Sequence, residues 1–156
     1  MTHSVNPPIT AGREPDLADE DARTPNDHLQ ELYTRIVDAK AGFDVMVDKA
    51  EPDFRDVALS FRDMHQRHAD TIKDMLHGNV EEDGSFMGTI NKAVVSMRAF
   101  FDEIDEDVMD QVRRGEEHVI DAFRTAEASV SQADEARLIA LRAELEDLLD
   151  RTKHLD

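Results

Sequence analysis

The sequence contains no cysteine and no tryptophan, and it has one tyrosine. Without cysteine the chain has no disulfide framework, no iron–sulfur cluster and no thiol nucleophile. Aromatic residues make up only 5% of the 156 residues, so a core must consist mainly of aliphatic and methionine side chains. Apolar runs are only a few residues long, far below the ~20 residues of a membrane span. The first residues lack the basic and apolar regions of a signal peptide, so we expect a soluble, cytoplasmic protein.

Basic residues are also scarce, with 18 against 36 acidic ones and a formal net charge of −18. Such a chain repels nucleic-acid backbones and anionic membrane surfaces, and no Lys and Arg cluster is long enough to form a local exception. We therefore expect no nucleic-acid partner and no membrane partner. A cation or a basic protein remains open as a partner, and the charge also keeps a small domain in solution.

Prolines are concentrated at the start of the chain, where four of the five lie within the first 25 residues. That segment is acidic and carries few apolar side chains, so it buries too little surface to offset its ordering entropy. We interpret residues 1–23 as an acidic, proline-containing, flexible tail. Residues 24–156 contain few prolines and glycines, which favours one helical domain.

Capping residues and apolar stripes with steps of three and four divide this domain into helices. The predicted helices span 25–50, 52–77, 86–102, 106–128 and 132–155. Each starts at a capping or first-turn signal; these are Thr24-Pro25, Pro52, Ser85, Asp105 and Ser131 with Asp134. Because residues 86–128 also keep a single helical period, they form either one helix or two.

Four of the predicted helices are long and similar in length, and such amphipathic helices bury their stripes best as an antiparallel bundle. The helices on either side of Pro52 form a hairpin. Residues 79–104 are too many for a hairpin turn and favour a crossover connection with its own short helix. The predicted fold is therefore all-α, a ferritin-like four-helix bundle with a short extra helix in the crossover connection.

Three short motifs carry a family resemblance: Gly42-Phe43, the segment Gly84-Ser85-Phe86-Met87-Gly88, and Arg114-Gly115-Glu116-Glu117. Over residues 28–152 the chain resembles the bacterial ferritin-like four-helix-bundle proteins classed as a domain of unknown function. The resemblance implies this fold and a metal-binding ancestry, but no established reaction. It also implies departures from the family pattern, with Arg113 and Leu149 where the family has an acid and a histidine. From their helical positions alone, we expect Gly42, Gly88 and Gly115 to mark close approaches of a neighbouring helix.

A di-iron centre in such a bundle needs one Glu from each of two helices and a Glu-x-x-His pair from each of the other two. No histidine of this chain has a glutamate three residues before it. His68 and Glu116 interrupt two apolar stripes near mid-helix and are predicted to meet inside the bundle. His65 lies three residues before His68 and can share a cation with it.

The candidate metal ligands are therefore His65, His68 and Glu116. The alternative interpretation is a buried His–Glu pair that fixes the register of the helices. His118 lies on the other side of its helix from Glu116 and is expected to face solvent.

No nucleophile motif and no phosphate-binding loop is present, so the sequence favours a non-catalytic role. We expect no catalytic residues and no cofactor beyond at most one divalent metal ion. The main hypothesis is a homodimeric, non-catalytic ferritin-like bundle with a degenerate metal site, acting as a stress-related accessory or interaction protein. One alternative is an iron- or zinc-binding protein that uses the His/Glu cluster. Another is a helical adaptor whose acidic tail binds a basic protein.

Overall fold

The computed structural model describes residues 23–76 and 108–155, which are helical almost throughout. No β-strand occurs within these two ranges. The helices are α1 (Pro25–Lys49), α2 (Pro52–Met75), α3 (Met109–Glu127) and α4 (Gln132–Thr152), and a 3₁₀ turn over Lys153–Leu155 follows α4. The predicted tail, except Arg23, lies outside the described residues. The predicted crossover connection and its predicted short helix over 86–102 also lie outside them. The alternatives of one helix or two over 86–128 therefore stay predictions.

Local capping chemistry sets the helix starts that the sequence predicts. The Thr24 hydroxyl accepts a hydrogen bond from the Asp27 amide at 3.2 Å, and the Asp27 carboxylate accepts one from the Thr24 amide at 2.9 Å. Pro25 and Pro52 occupy the first turns of α1 and α2, where a missing N–H costs nothing. Ser131 accepts from the Asp134 amide at 3.4 Å at the start of α4. These predicted starts are confirmed.

The four helices surround one apolar core. Helix α1 packs against α2 and α3, while α4 packs against α3 and less extensively against α2. Large side chains from all four helices are fully buried there, among them Leu32, Ile36, Phe61, Ile72, Met109, Phe123, Leu138 and Leu145. The described helices thus form a four-helix bundle. None of them has an apolar stretch long enough to cross a membrane.

Helix directions follow from contacts along the bundle. The Phe43 ring stacks on Phe61 with centroids 4.9 Å apart, so α1 and α2 run antiparallel after their short connection. The first half of α1 shares a cavity wall with residues 118–125 of α3, and its second half shares one with residues 111–119. Helix α3 is therefore antiparallel to α1 and parallel to α2. The end of α2 and the start of α3 consequently lie at opposite ends of the bundle.

One expectation about packing is wrong. A Cβ at Gly115 would meet no atom of the described residues within 4 Å, so neither α1, α2 nor α4 approaches closely at this position. Gly115 instead borders an open cavity between α1 and α3, whose other wall includes Gly42. Gly88 lies outside the described residues.

Candidate functional site

Two histidines of α2 point into the bundle interior. His65 and His68 are both 0% exposed. They are three residues apart, so their side chains leave the helix about 60° from each other. Their rings meet edge to face with centroids 6.4 Å apart, and their Nε2 atoms face carboxylates on two different helices.

His65 pairs with α3. Its Nε2 lies 2.7 Å from Oε1 of Glu116, a residue that is only 2% exposed. The tautomer of His65 sets the direction of this hydrogen bond. The sequence predicts that Glu116 meets His68. Its partner is His65 instead, while His68 contacts the same helix only through the Phe123 ring.

His68 pairs with α4. Its Nε2 lies 3.1 Å from Oε2 of Glu144, whose side chain is 37% exposed. The other oxygen of Glu144 accepts a hydrogen bond from the Arg67 guanidinium. Glu144 therefore bonds to two residues of α2, and the Arg67 guanidinium fixes the carboxylate that faces His68.

Aromatic rings enclose the two imidazoles. Phe43 of α1 stacks on His65 with centroids 5.6 Å apart, and Phe123 of α3 meets His68 edge-on at 6.0 Å. The Nδ1 atoms of both histidines and Oε2 of Glu116 are buried and have no hydrogen-bond partner. Three polar atoms of the site therefore remain unsatisfied by the protein.

Burial and hydrogen bonding shift two pKa values at the His68 pair in the same direction. Desolvation lowers the pKa of His68 below its usual 6.5, against the opposing influence of the Glu144 carboxylate. The Arg67 hydrogen bond lowers the pKa of Glu144 below its usual 4.5. Near neutral pH this pair is thus a neutral imidazole beside a carboxylate.

Glu116 also borders a cavity. A space of about 270 Å³ lies between α1 and α3, and its wall includes Glu116, Gly115, Asp38, Phe43 and Met46. Burial raises the pKa of the half-buried Asp38 carboxyl above its usual range. His118, at the outer edge of this cavity, is exposed as predicted.

The three predicted metal ligands lie close together in the interior, but their bonded atoms face different partners. No group of three or more His, Asp or Glu side chains within 23–76 and 108–155 is arranged to hold a metal ion. The Nε2 atom of each histidine faces its own carboxylate. The assignment of His65, His68 and Glu116 as metal ligands stays a prediction.

Sequence reasoning did not identify two interior contacts. One is Glu144 as the partner of His68, although Glu144 lies beside the apolar stripe of the last helix in the sequence. The other is Glu127 of α3, which is 7% exposed and accepts bonds at 2.9 and 3.1 Å from Nε of Arg142. Glu127 lies four residues after the buried Phe123, so helical spacing places it on the buried face and could have identified it.

The family model described as a domain of unknown function (DUF2383) matches residues 24–129. The chain belongs to this family. The match confirms the domain-of-unknown-function part of the resemblance, and it covers α1 to α3. His65, His68 and Glu116 lie inside the matched range, whereas Glu144 lies beyond it. No curated protein and no solved structure was found to match the chain.

Proposed function

We propose that the protein is a ferritin-like four-helix bundle that acts without catalysis, as a stress-related accessory or interaction protein. In this proposal the interior His–Glu pairs are the remnant of a metal site and now hold the helices in register. The protein acts through its surface, and the net charge of −18 on the chain favours a basic partner.

The helix directions support the ferritin-like assignment. Helices α1 and α2 form one antiparallel pair, while α2 and α3 run in the same direction. Helices α3 and α4 form the other antiparallel pair, because Arg113 contacts Thr152 and Glu127 contacts Arg142. Ferritin-like folds differ from simple up-down bundles by one long crossover between their two helix hairpins. The end of α2 and the start of α3 lie at opposite ends of the bundle, which supports such a crossover between the hairpins.

The observation that carries the proposal is the engagement of each histidine by one carboxylate. His65 faces Glu116 and His68 faces Glu144, from two different helices. The contribution of α1 at this level is the Phe43 ring, which stacks on His65 and cannot ligate a metal. A di-iron centre requires carboxylates from all four helices. Paired groups with an aromatic wall instead suit a structural role.

Metal analysis tests this proposal. Protein purified without chelator should contain less than one equivalent of iron per chain, and it should consume no oxygen when Fe²⁺ is added. A variant with His65→Gln and His68→Gln, checked for folding by circular dichroism, should contain the same trace of metal. Two tightly held irons per chain with oxygen-dependent turnover would contradict the proposal.

A divalent-metal-binding protein is the second candidate. It is favoured by the buried Nδ1 atoms of His65 and His68 and by Oε2 of Glu116, which have no partner. Imidazole nitrogens with one carboxylate suit zinc or another late first-row ion. Zinc bound one to one, lost in the His65→Gln and His68→Gln variant but kept in His118→Gln, would favour this candidate. Its affinity should fall as the pH drops below ~6.5, where imidazole takes up a proton.

A further inference from the structure

The outer face of α1, on the side away from the core, is shielded from water. Phe43 belongs to the core, and Val45 leaves the helix about 160° from it. Val45 is nevertheless only 1% exposed, although it is not part of the apolar core of the bundle. Ala41 and Asp38 lie on the same face and are half-buried, and burial raises the pKa of Asp38. A neighbouring group therefore covers this face of α1.

The other described helices lie on different sides of α1. Helix α2 lies on one flank, where Arg62 faces Asp44 at 3.9 Å. Helix α3 lies on the other flank, where Gly42 borders the cavity that α1 and α3 share. Asp44 and Gly42 each leave α1 about 100° from Phe43, on opposite sides. Helix α4 packs against α2 and α3. The burial of Val45 is thus not accounted for by α2, α3 or α4.

The outer face of α4, the helix diagonally opposite α1, is exposed. Leu138 belongs to the core, and Ala140 leaves α4 about 160° from it, which is the geometry of Val45 on α1. Ala140 and Ala143 are both exposed, and Ile139 at the edge of this face is 41% exposed. The two outer faces therefore differ, since that of α1 is covered and that of α4 is not.

The positions of α2 and α3 leave two routes for the chain that connects them. These helices occupy the other diagonal of the bundle, and each packs against both α1 and α4. The end of α2 and the start of α3 lie at opposite ends of the bundle. Because apolar side chains fill the interior, a connection between them runs over either α1 or α4. Its sequence has an apolar stripe at helical spacing, which requires a surface to pack on. The members of the stripe are Phe86, Ile90, Met97, Phe101 and Ile104.

We propose that the outer face of α1, around Ala41 and Val45, is the docking surface for segment 86–104 of the same chain. The apolar stripe of the segment packs on these side chains and excludes water from them. The N-terminal tail fits this surface less well, because residues 1–22 contain several prolines and few apolar side chains. The proposal depends on helix directions and burial, and on neither a bound metal nor an external partner.

Cysteine labelling tests the cover, since the chain has no cysteine of its own. Val45→Cys should react with a maleimide at least tenfold more slowly than Ala140→Cys, the matched position on α4, because a buried thiol reacts only after local opening. Circular dichroism verifies that both variants fold. The rate for Val45→Cys should not depend on protein concentration. Equal rates in the two variants would overturn the proposal, and so would faster labelling on dilution, which would assign the cover to a second copy.

Paired substitutions identify the segment that provides the cover. Ile90→Glu with Met97→Glu places charges on the stripe and should raise the labelling rate of Val45→Cys at least tenfold. Asn91→Glu with Arg98→Gln makes the same change in net charge beside the stripe and should alter the rate less than twofold. An equal acceleration by both pairs would show that charge repulsion, and not the stripe, controls access, which would contradict the proposal.

The tail provides a second control for the occupant. Ile9→Glu with Leu17→Glu should leave the labelling rate of Val45→Cys unchanged. An acceleration by this pair, without one by the pair on the stripe, would assign the cover to the tail and overturn the proposal.

If the variant on the stripe does not fold, nuclear Overhauser spectra of the unmodified protein replace it. The methyl group of Met97 should then show contacts to side chains on the outer face of α1, such as Ala41 and Val45. Contacts to Ala140 of α4 instead, or none to α1, would overturn the proposal.

Discussion

The carboxylates of Glu116 and Glu144 differ in the contacts that remain when the paired histidine is removed. Glu144 is 37% exposed and retains the Arg67 guanidinium. Glu116 is 2% exposed, and His65 is the partner of its Oε1, while its Oε2 has none. Removing one member of a buried pair leaves an uncompensated charge, which costs much more than removing one member of an exposed pair.

His65→Leu should therefore destabilise the fold by about 3 kcal/mol, because it strands a buried carboxylate. His68→Leu should change the free energy of unfolding by less than about 1 kcal/mol or raise it, because an apolar side chain suits the position and Glu144 keeps Arg67. Urea denaturation at pH 7.5 measures both. Adding Glu116→Leu to His65→Leu should recover part of the loss. Similar losses in the two single variants would show that burial of Glu116 is not decisive.

His68 also makes stability depend on pH. Burial lowers its pKa in the folded state, so the unfolded chain binds the proton first as the pH falls below 6.5. The stability that neutral His68 contributes is fully present above pH 6.5 and is lost as the pH falls towards the folded-state pKa. Glu144, whose pKa is lowered by Arg67, contributes in the same direction only below about 4.5.

Thermal melts at pH 7 and pH 5 should consequently show a smaller decrease in Tm for His68→Leu than for the unmodified protein. The exposed His118 provides the matched control, and His118→Gln should keep the original decrease. An unchanged pH dependence in His68→Leu would assign the effect to other groups.

At the scale of the helices, the sequence predicts most of what is local. The ends of α1 agree within one residue and those of α2 within two, since Thr24, Pro25 and Pro52 act within a single turn. The predicted end of α4 at 155 includes a 3₁₀ turn that begins at Lys153. Capping and proline geometry involve only residues that are close together in the chain, so these helix boundaries can be predicted from the sequence.

The contacts between helices are less predictable, because they depend on the rotation of each helix about its axis. The interior placement of His68 and Glu116 follows from their apolar stripes, but a rotation of about 60° decides whether His65 or His68 reaches Glu116. The partner Glu144 depends on how α4 lies against α2. The sequence alone therefore indicates the interior residues of the candidate site without indicating their pairs.

Gly115 gives a prediction for helix α3. Gly115→Ala should raise the free energy of unfolding by about 0.5–1 kcal/mol, since alanine is the better helix former and its Cβ meets no atom of residues 23–76 and 108–155. Urea denaturation measures the change, with Ala122→Gly in the same helix as the reverse control. A loss of stability in Gly115→Ala would show that a neighbouring group does approach this position.

At the scale of the whole molecule, the charge of −18 opposes the compact state. Many of the ion pairs join exposed residues of one helix, such as Arg151 with Asp147 at 2.9 Å, and pairs of this kind contribute little. The more buried Glu127–Arg142 pair joins α3 to α4 and is screened less by salt. Added salt thus weakens the repulsion between distant acidic groups more than it weakens the attraction within the Glu127–Arg142 pair.

Raising NaCl from about 10 mM to about 500 mM shortens the Debye length from about 30 Å to below 8 Å. Repulsion across the bundle is then screened, so we expect Tm to rise by a few degrees, equivalent to about 1 kcal/mol at this chain length. MgCl₂ at the same ionic strength separates screening from specific cation binding, because screening alone predicts a similar rise with both salts. A much larger rise with MgCl₂ would indicate a divalent-cation site. A fall of Tm in NaCl would mean that the surface ion pairs outweigh the net repulsion.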